Sequence, residues 1–268
     1  RGITWEWSAT TSAWSVADVA SPRADFIFFD AYRHRVVMVA ESSIGVAPDV
    51  FEWDGAHWVK RTTHDAPFSL HAATARVRTA YYTPTQDLFV FGDSGGVMRF
   101  HSPNSTWSPV PQLASRPGSV VADDAGHRLI AVDDQTYAWD PASSAGWTVV
   151  GPAPQAVRDA TLVIDYRNGS SRIVALGNGT STAWQLVGST WIAAGDLQLD
   201  GRLGGFAWFD QATRHILMYG GTASVTALHD VVDVTTQTTL AHNVGYGDGV
   251  WDPMRRQLYI KGSDSQGY

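Results

Sequence analysis

One short pattern recurs six times along the chain, at intervals of about 42 to 45 residues over most of its length. The first half of each copy is an apolar or aromatic run, a tight turn, one or two basic residues and a second apolar run, as in 26–39 (FIFFDAYRHRVVMV). The residue before the turn is Asp in five copies and Thr in one, at Asp30, Thr83, Asp123, Asp165, Asp210 and Asp252. A repeat of this length predicts structural units that stack on one another, because no single copy buries its apolar face alone.

The second half of most copies carries two aromatic residues on either side of turn-forming residues. These pairs are Trp7 and Trp14, Trp53 and Trp58, Phe100 and Trp107, Trp139 and Trp147, and Trp184 and Trp191. The fifth copy reads VVDVTTQTTL and has lost both Trp residues. Two alternating segments around a turn predict a β-hairpin, so each copy predicts four antiparallel strands. The sequence therefore predicts an all-β fold, a six-bladed β-propeller with four-stranded antiparallel blades.

The two ends of the chain each supply half of one copy. Residues 249–268 contain only a first half, and residues 1–17 contain only a second half. We expect the two segments to share blade 6 and to close the ring, which removes exposed edge strands. On this interpretation residues 1–268 form a single propeller domain.

Composition excludes several classes of function. The formal net charge of −7 argues against nonspecific nucleic-acid binding, which needs a positive field. The absence of Cys excludes disulfides and thiolate metal sites. The nine His residues form no HExxH motif and no close pair on one strand face, so we expect no metal and no cofactor. The sequence contains no run of 18 apolar residues, so we expect no membrane span.

The repeat resembles that of the kelch-type β-propellers, a group that includes the central domain of galactose oxidase. The resemblance depends on Gly220–Gly221, the Asp before the first turn, the spaced Trp residues, and the segments 4–7 (TWEW) and 50–58 (VFEWDGAHW). It covers the whole chain and points to bacterial kelch-repeat proteins, so a secreted or cell-surface location is favoured over a cytoplasmic one. Galactose oxidase-type copper chemistry needs a Cys crosslinked to Tyr and is excluded here. The resemblance specifies the fold more than the function, because one propeller supports many activities.

Arginine recurs at a fixed distance before the first hairpin. Arg23, Arg76, Arg116 and Arg158 lie seven residues before the turn residue, Arg202 lies eight before it, Arg78 is close by, and the sixth copy has Tyr246 in this region. Loops that enter the innermost strand share one propeller face with the loops that join strands two and three. The second set of loops is acidic or polar, with Glu41, Asp49, Asp93, Asp133, Asp134, Asn178 and Asp264.

These arginines predict an anion site at the channel mouth, because guanidinium groups match carboxylate, sulfate and phosphate. The structural alternative is that each arginine pairs with a carbonyl group or an Asp of its own or the next blade. We favour that alternative for any single arginine, because ligand-binding residues rarely follow the symmetry of a scaffold. We nevertheless expect at least one of the five to contact a ligand.

Two irregular loops carry the candidates for catalysis. Residues 63–79 and 240–248 depart from the repeat. If the protein is an enzyme, its general acid or base is expected among Asp65, His71, His242 and Asp248. No catalytic signature accompanies these residues.

The hairpins on the opposite face carry residues typical of turns. The Asp before each turn is expected to accept backbone hydrogen bonds. His34, His127 and His215 lie beside an arginine in equivalent hairpins, and their recurrence favours a turn role over metal binding.

The favoured function is a monomeric binding module that recognises a protein or glycan ligand, with an acidic group as the match for the arginines. The alternative is an enzyme that acts on a carbohydrate or small acidic metabolite in the channel, such as an epimerase, mutarotase or lyase. A third possibility is a structural domain of a longer protein.

Overall fold

Short strands joined by turns make up most of the described part of the molecule. The computed structural model describes residues 2–22, 24–40, 49–61, 78–92, 95–196, 202–203, 205–223, 226–242 and 247–263. The first half of the strands are β1 (Gly2–Ser8), β2 (Ala13–Ser21), β3 (Ala24–Asp30), β4 (Arg35–Ala40), β5 (Val50–Trp53), β6 (Trp58–Arg61), β7 (Arg78–Tyr82), β8 (Asp87–Phe91), β9 (Val97–His101), β10 (Thr106–Pro109), β11 (Ser119–Asp123), β12 (Arg128–Val132), β13 (Gln135–Trp139) and β14 (Thr148–Pro152). The remainder are β15 (Thr161–Asp165), β16 (Arg172–Leu176), β17 (Thr182–Val187), β18 (Thr190–Asp196), β19 (Arg202–Leu203), β20 (Phe206–Asp210), β21 (His215–Tyr219), β22 (Thr222–Ala223), β23 (Thr226–Ala227), β24 (Val231–Asp233), β25 (Thr238–Ala241), β26 (Gly247–Asp252) and β27 (Gln257–Ser263).

These strands form six four-stranded antiparallel sheets, and the fold is the six-bladed β-propeller that the repeat predicts. Blades 1 to 4 are β3–β6, β7–β10, β11–β14 and β15–β18, blade 5 is β20, β21, β24 and β25, and blade 6 is β26, β27, β1 and β2. A small three-stranded sheet (β19, β22 and β23) accompanies blade 5, and one 3-10 turn spans Gln155–Val157. Among the described residues, no helix has the length and hydropathy needed to cross a membrane.

The blades fall into two compact units. Unit 1 comprises Arg1–Asp93, Val97–Val110 and Val244–Tyr268, and it holds blades 6, 1 and 2. Unit 2 comprises Ser94–Gly96 and Pro111–Asn243, and it holds blades 3, 4 and 5. The single domain expected over residues 1–268 stays a prediction.

The ends of the chain pair within blade 6. Strand β1 runs antiparallel to β27, with a register that extends from Gly2 opposite Ser263 to Ser8 opposite Gln257. The four strands of this sheet lie within residues 247–263 and 2–21, so they begin two residues before position 249 and end four residues after position 17. Closure of the whole ring, which the sequence predicts from this pairing, stays a prediction.

The second strand of each of blades 1 to 5 is almost completely buried. All five residues of β8 are buried, and Val36 to Ala40 are buried in β4. A strand that is covered on both faces reads as a continuous apolar run, which explains the four apolar residues after each basic turn. Aromatic pairs then fill the space between blades, at centroid distances of 5.2 Å for Trp53–Trp58 and 5.0 Å for Phe100–Trp107.

Blade 4 departs from the spacing expected for its Trp residues. Trp191 lies opposite Leu186 in the β17–β18 hairpin, whereas Trp184 lies opposite Ala193. The turn of this hairpin is two residues, Gly188 and Ser189, and is shorter than that of blade 1. The shorter turn shifts the register, so the Trp residue of β17 is not the ring that faces Trp191.

Candidate functional site

Loops of unit 2 that are far apart in sequence meet along one edge of its blades. Ser115 Oγ donates a hydrogen bond to Asp133 Oδ2 at 2.6 Å, and Asn178 Nδ2 donates to the Gln155 carbonyl group at 2.7 Å. We call the edge formed by segments 111–118, 133–134, 153–160 and 177–181 the loop face. Within unit 2, the loops that enter the first strand therefore lie beside the loops that join strands two and three.

An arginine of blade 4 reaches a carboxylate of blade 3 on the loop face. Arg158 follows the 3-10 turn, and its Nη1 donates to Asp134 Oδ1 in the turn between β12 and β13. The Arg158 side chain is 34% exposed and that of Asp134 is 72% exposed. The Nε of Arg158 is buried and has no acceptor among the described residues. This guanidinium is accessible to solvent and keeps hydrogen-bonding capacity.

Arg202 has a different environment. Its side chain is only 6% exposed, and its two terminal nitrogens donate to Asp230 at 2.5 and 3.0 Å. Nη1 also donates to the Gly220 carbonyl group at 3.2 Å. This bidentate pair fixes the segment before β20 against the segment before β24, so Arg202 takes the structural role that the alternative interpretation describes.

Asp230 is a residue that the sequence analysis missed. Burial and then the negative charge of Asp230 raise the pKa of Tyr219 above its ordinary range. The position of Asp230, directly before the third strand of blade 5, matches that of Asp134 before the third strand of blade 3. This shared position is the signal in the sequence that identifies it.

The other described candidates lie in the loop before β11, in two strands and just after β25. Arg116 is partly exposed in the loop before β11. Arg78 begins β7, opposite Phe91. His242 is exposed just after β25, and Asp248 lies in β26 opposite Lys261.

Several predicted site residues lie outside the described residues, namely Arg23, Arg76, Tyr246, Asp65 and His71. Their assignment to an anion site or to catalysis stays a prediction. The described residues include no group of three His, Asp or Glu side chains that could hold a metal ion.

The opposite edge of the blades is formed by the first hairpins. The Asp before each turn accepts backbone N–H groups, as the sequence predicts, for example from Tyr32 and Arg33 at Asp30 and from Met254 at Asp252. The same bonds form at Asp123, Asp165 and Asp210. These carboxylates hold the turns together.

The histidines of this edge are not all equivalent. His34 and His127 have φ angles of 54° and 53°, the left-handed conformation that the turn requires. In blade 5 that position belongs to Arg214, with a φ of 61°, and His215 is the next residue. His215 Nδ1 lies 2.6 Å from Asp233 Oδ2, so its contact is with a carboxylate in β24. The three hairpins are equivalent, but His215 lies one residue beyond the left-handed position that His34 and His127 occupy.

Comparison with known proteins adds no family assignment. No protein-family model matches the chain, and no curated protein is significantly similar to it.

Proposed function

We propose that this chain is a binding module of the kelch-type propeller class that recognises a protein or glycan ligand through an acidic group. The proposed binding surface is the loop face of unit 2, with Arg158 and Arg116 as the cationic residues. The propeller fold is compatible with this role, because its loops are free to vary on a rigid set of blades.

The proposal rests chiefly on the state of Arg158. An exposed ion pair such as Arg158–Asp134 contributes about 0–1 kcal/mol, because water screens the charges. A ligand carboxylate or sulfate group can therefore share or displace the Asp134 contact at little cost. The planar guanidinium then offers two parallel donors to the incoming anion.

Arg202 does not belong to the proposed binding surface. Removing Asp230 from Arg202 leaves a buried cation without a partner, which costs about 3–5 kcal/mol. A ligand would have to supply that energy before it gained any affinity. Arg202 of blade 5 is thus assigned a structural role, and Arg158 of blade 4 is the accessible arginine of the loop face.

The test uses a glycan array and a pull-down with the wild type and the Arg116→Gln/Arg158→Gln variant. The matched control is Arg214→Gln/Arg256→Gln, which removes two positive charges from first-hairpin turns. We expect the first variant to lose binding to acidic glycans or acidic proteins about tenfold or more, since hydrogen bonds to charged groups contribute about 1.5–3 kcal/mol. The control should retain binding.

The two assays distinguish a glycan from a protein ligand. Retention of every ligand by the Arg116→Gln/Arg158→Gln variant rejects the role of the loop face. Equal loss in both variants shows that only net charge matters, and it also rejects the proposal.

A further inference from the structure

A cleft lies between blades 4 and 5, at the level where other blades hold an aromatic pair. In blade 1, Trp53 and Trp58 pair at the end of the hairpin of strands three and four and flank its turn. In blade 5 the last pair of this hairpin is Asp233 with Thr238. The next residues toward the turn are Val234 and Gln237, which therefore occupy the positions of Trp53 and Trp58. The second strands give the same alignment, because Val37 lies opposite Glu52 in blade 1 and Leu217 lies opposite Asp233 in blade 5.

Blade 4, which faces blade 5 across the cleft, also has a smaller side chain at this level. Trp53 packs on Tyr259 of blade 6, with ring centroids 6.2 Å apart. Val174 of blade 4 has the register position that Tyr259 has in blade 6, two residues after the partner of the turn Asp. Blades 4 and 5 therefore have Val174 and Val234 where blades 6 and 1 have two large rings. A cleft of about 300 Å³ remains between them, lined by both valines and by Gln237.

The cleft has an apolar wall and a charged rim. Leu176, Ala183 and Ile216 continue the apolar wall. Asp165, Arg167 and Arg172 line the rim. Of the described residues that line the cleft, no other is ionisable, so these residues contribute two cations and one anion.

The rim is preorganised for an anion. The Asp165 side chain is fully buried, and Arg167 Nη2 donates to its Oδ2 at 2.8 Å, while Arg172 Nη2 donates to the same oxygen. Arg172 is 27% exposed, and its Nε is buried without an acceptor among the described residues. Asp165 thus holds both guanidinium groups in place and neutralises only one of them.

We propose that this cleft binds a small ligand that joins a flat apolar ring to a carboxylate group. The ring replaces the indole that other blades place at this level, and it packs against Val174, Val234 and Ile216. The carboxylate accepts hydrogen bonds from Arg172 and Arg167. The volume is at the lower end of the range of ligand pockets, about 300–1,000 Å³, and it matches one or two fused rings.

The experiment is an NMR titration of the whole chain with indole-3-acetate and with the neutral ring 3-methylindole. We expect saturable binding of the acid, about tenfold tighter than binding of the neutral compound, because the neutral compound lacks the carboxylate that accepts charge-assisted hydrogen bonds from the arginines. Arg172→Gln should remove that difference between the two compounds. Arg128→Gln, at the same register position in blade 3, should leave it unchanged.

A second pair of variants tests the location without changing charge. Ala194 is exposed and lines the cleft, so Ala194→Trp should block both compounds. Ala193→Trp, on the neighbouring residue that does not line the cleft, should not affect binding. The absence of saturable binding at millimolar concentration in the wild type overturns the proposal. Unchanged binding in Ala194→Trp also overturns it, whatever the outcome at the loop face.

Discussion

The hydroxyl group of Ser102 in blade 2 donates a hydrogen bond to the buried Asp30 carboxylate of blade 1. Tyr81 Oη, also in blade 2, donates to the other oxygen of Asp30 at 3.1 Å. Asp30 in turn holds the backbone of its own turn, so one carboxylate joins a hairpin to the next blade. Asp30 therefore has a role between blades as well as within its turn.

Replacing Ser102 with Ala tests the importance of this interblade contact. The buried Asp30 oxygen loses a donor, and we expect the free energy of unfolding to fall by about 1–3 kcal/mol. Urea denaturation followed by Trp fluorescence measures the change. Ser189→Ala, on an exposed turn, should change stability by less than about 0.5 kcal/mol. Equal effects of the two substitutions would contradict the assignment.

Trp53 tests the contribution of the aromatic pairs. Its side chain is buried between Trp58 and Tyr259, so we expect Trp53→Ala to lower the free energy of unfolding by about 3–5 kcal/mol. Val234→Ala, at the equivalent position of blade 5, deletes only two methyl groups and should lower it by about 2 kcal/mol. Denaturant titrations of both variants provide the measurement. Similar losses would show that the two positions do not differ in packing.

The sequence predicts the strands and turn carboxylates because the repeat carries them directly. A turn that needs one acceptor at one place selects Asp in nearly every copy, so periodicity alone locates Asp30 and Asp252. Counting four residues from that Asp also finds the left-handed positions His34, His127 and Arg214. Residue type alone does not find them, because His precedes Arg in two of these copies and follows it in the third.

The loop contacts do not follow from periodicity. Arg158 and Arg202 have nearly the same offset from their turn Asp, yet one is exposed and the other is buried. The difference depends on how closely the neighbouring segment approaches, and the sequence pattern does not encode that distance. The only sign of the cleft in the sequence is the fifth copy, which lacks both Trp residues. The cleft is lined as well by Val174, which belongs to the fourth copy.

Asp165 should make stability depend on acidic pH. Burial opposes ionisation of its carboxyl group, but Arg167 and Arg172 outweigh burial and hold its pKa below the ordinary value of 3.8. The folded state therefore binds this proton more weakly than the unfolded state does. The resulting stabilisation is complete above the unfolded pKa and is lost as pH falls through the folded pKa.

We expect Asp165→Asn to lower the free energy of unfolding by about 1.5–3 kcal/mol at neutral pH, through loss of hydrogen bonds to a charged group. The difference from the wild type should narrow below about pH 4. Denaturation curves at a series of pH values measure it. The control is Asp140→Asn, on an exposed turn. The Ala142 N–H donates to Asp140 Oδ1, and an Asn side chain can accept the same hydrogen bond. If the difference in the free energy of unfolding between the wild type and Asp165→Asn grows as the pH falls, the predicted direction of the pH dependence is wrong.

The Arg158–Asp134 pair of the loop face and the Arg202–Asp230 pair of blade 5 should differ in their effect on stability. Arg202→Met leaves Asp230 without its partner in a buried setting, so we expect a loss of about 3–5 kcal/mol. Arg158→Met removes an exposed pair and should change stability by no more than about 1 kcal/mol. Thermal and denaturant unfolding of both variants measure the difference. A large loss for Arg158→Met would assign this arginine a structural role and weaken its case as a ligand contact.

Gly177 tests how closely the loops of blades 4 and 5 approach. A Cβ atom at this position would lie 2.1 Å from the Arg202 carbonyl oxygen, and its φ of +86° is a left-handed conformation. Gly179 has a φ of +73° with no atom within 4 Å of the added Cβ, so Gly179→Ala measures the backbone strain alone, about 1–2 kcal/mol. Gly177→Ala should lower stability by about 1–3 kcal/mol more, because the backbone must move to accept the methyl group. If the two alanine variants unfold at the same denaturant concentration, the close contact between these loops is absent in solution.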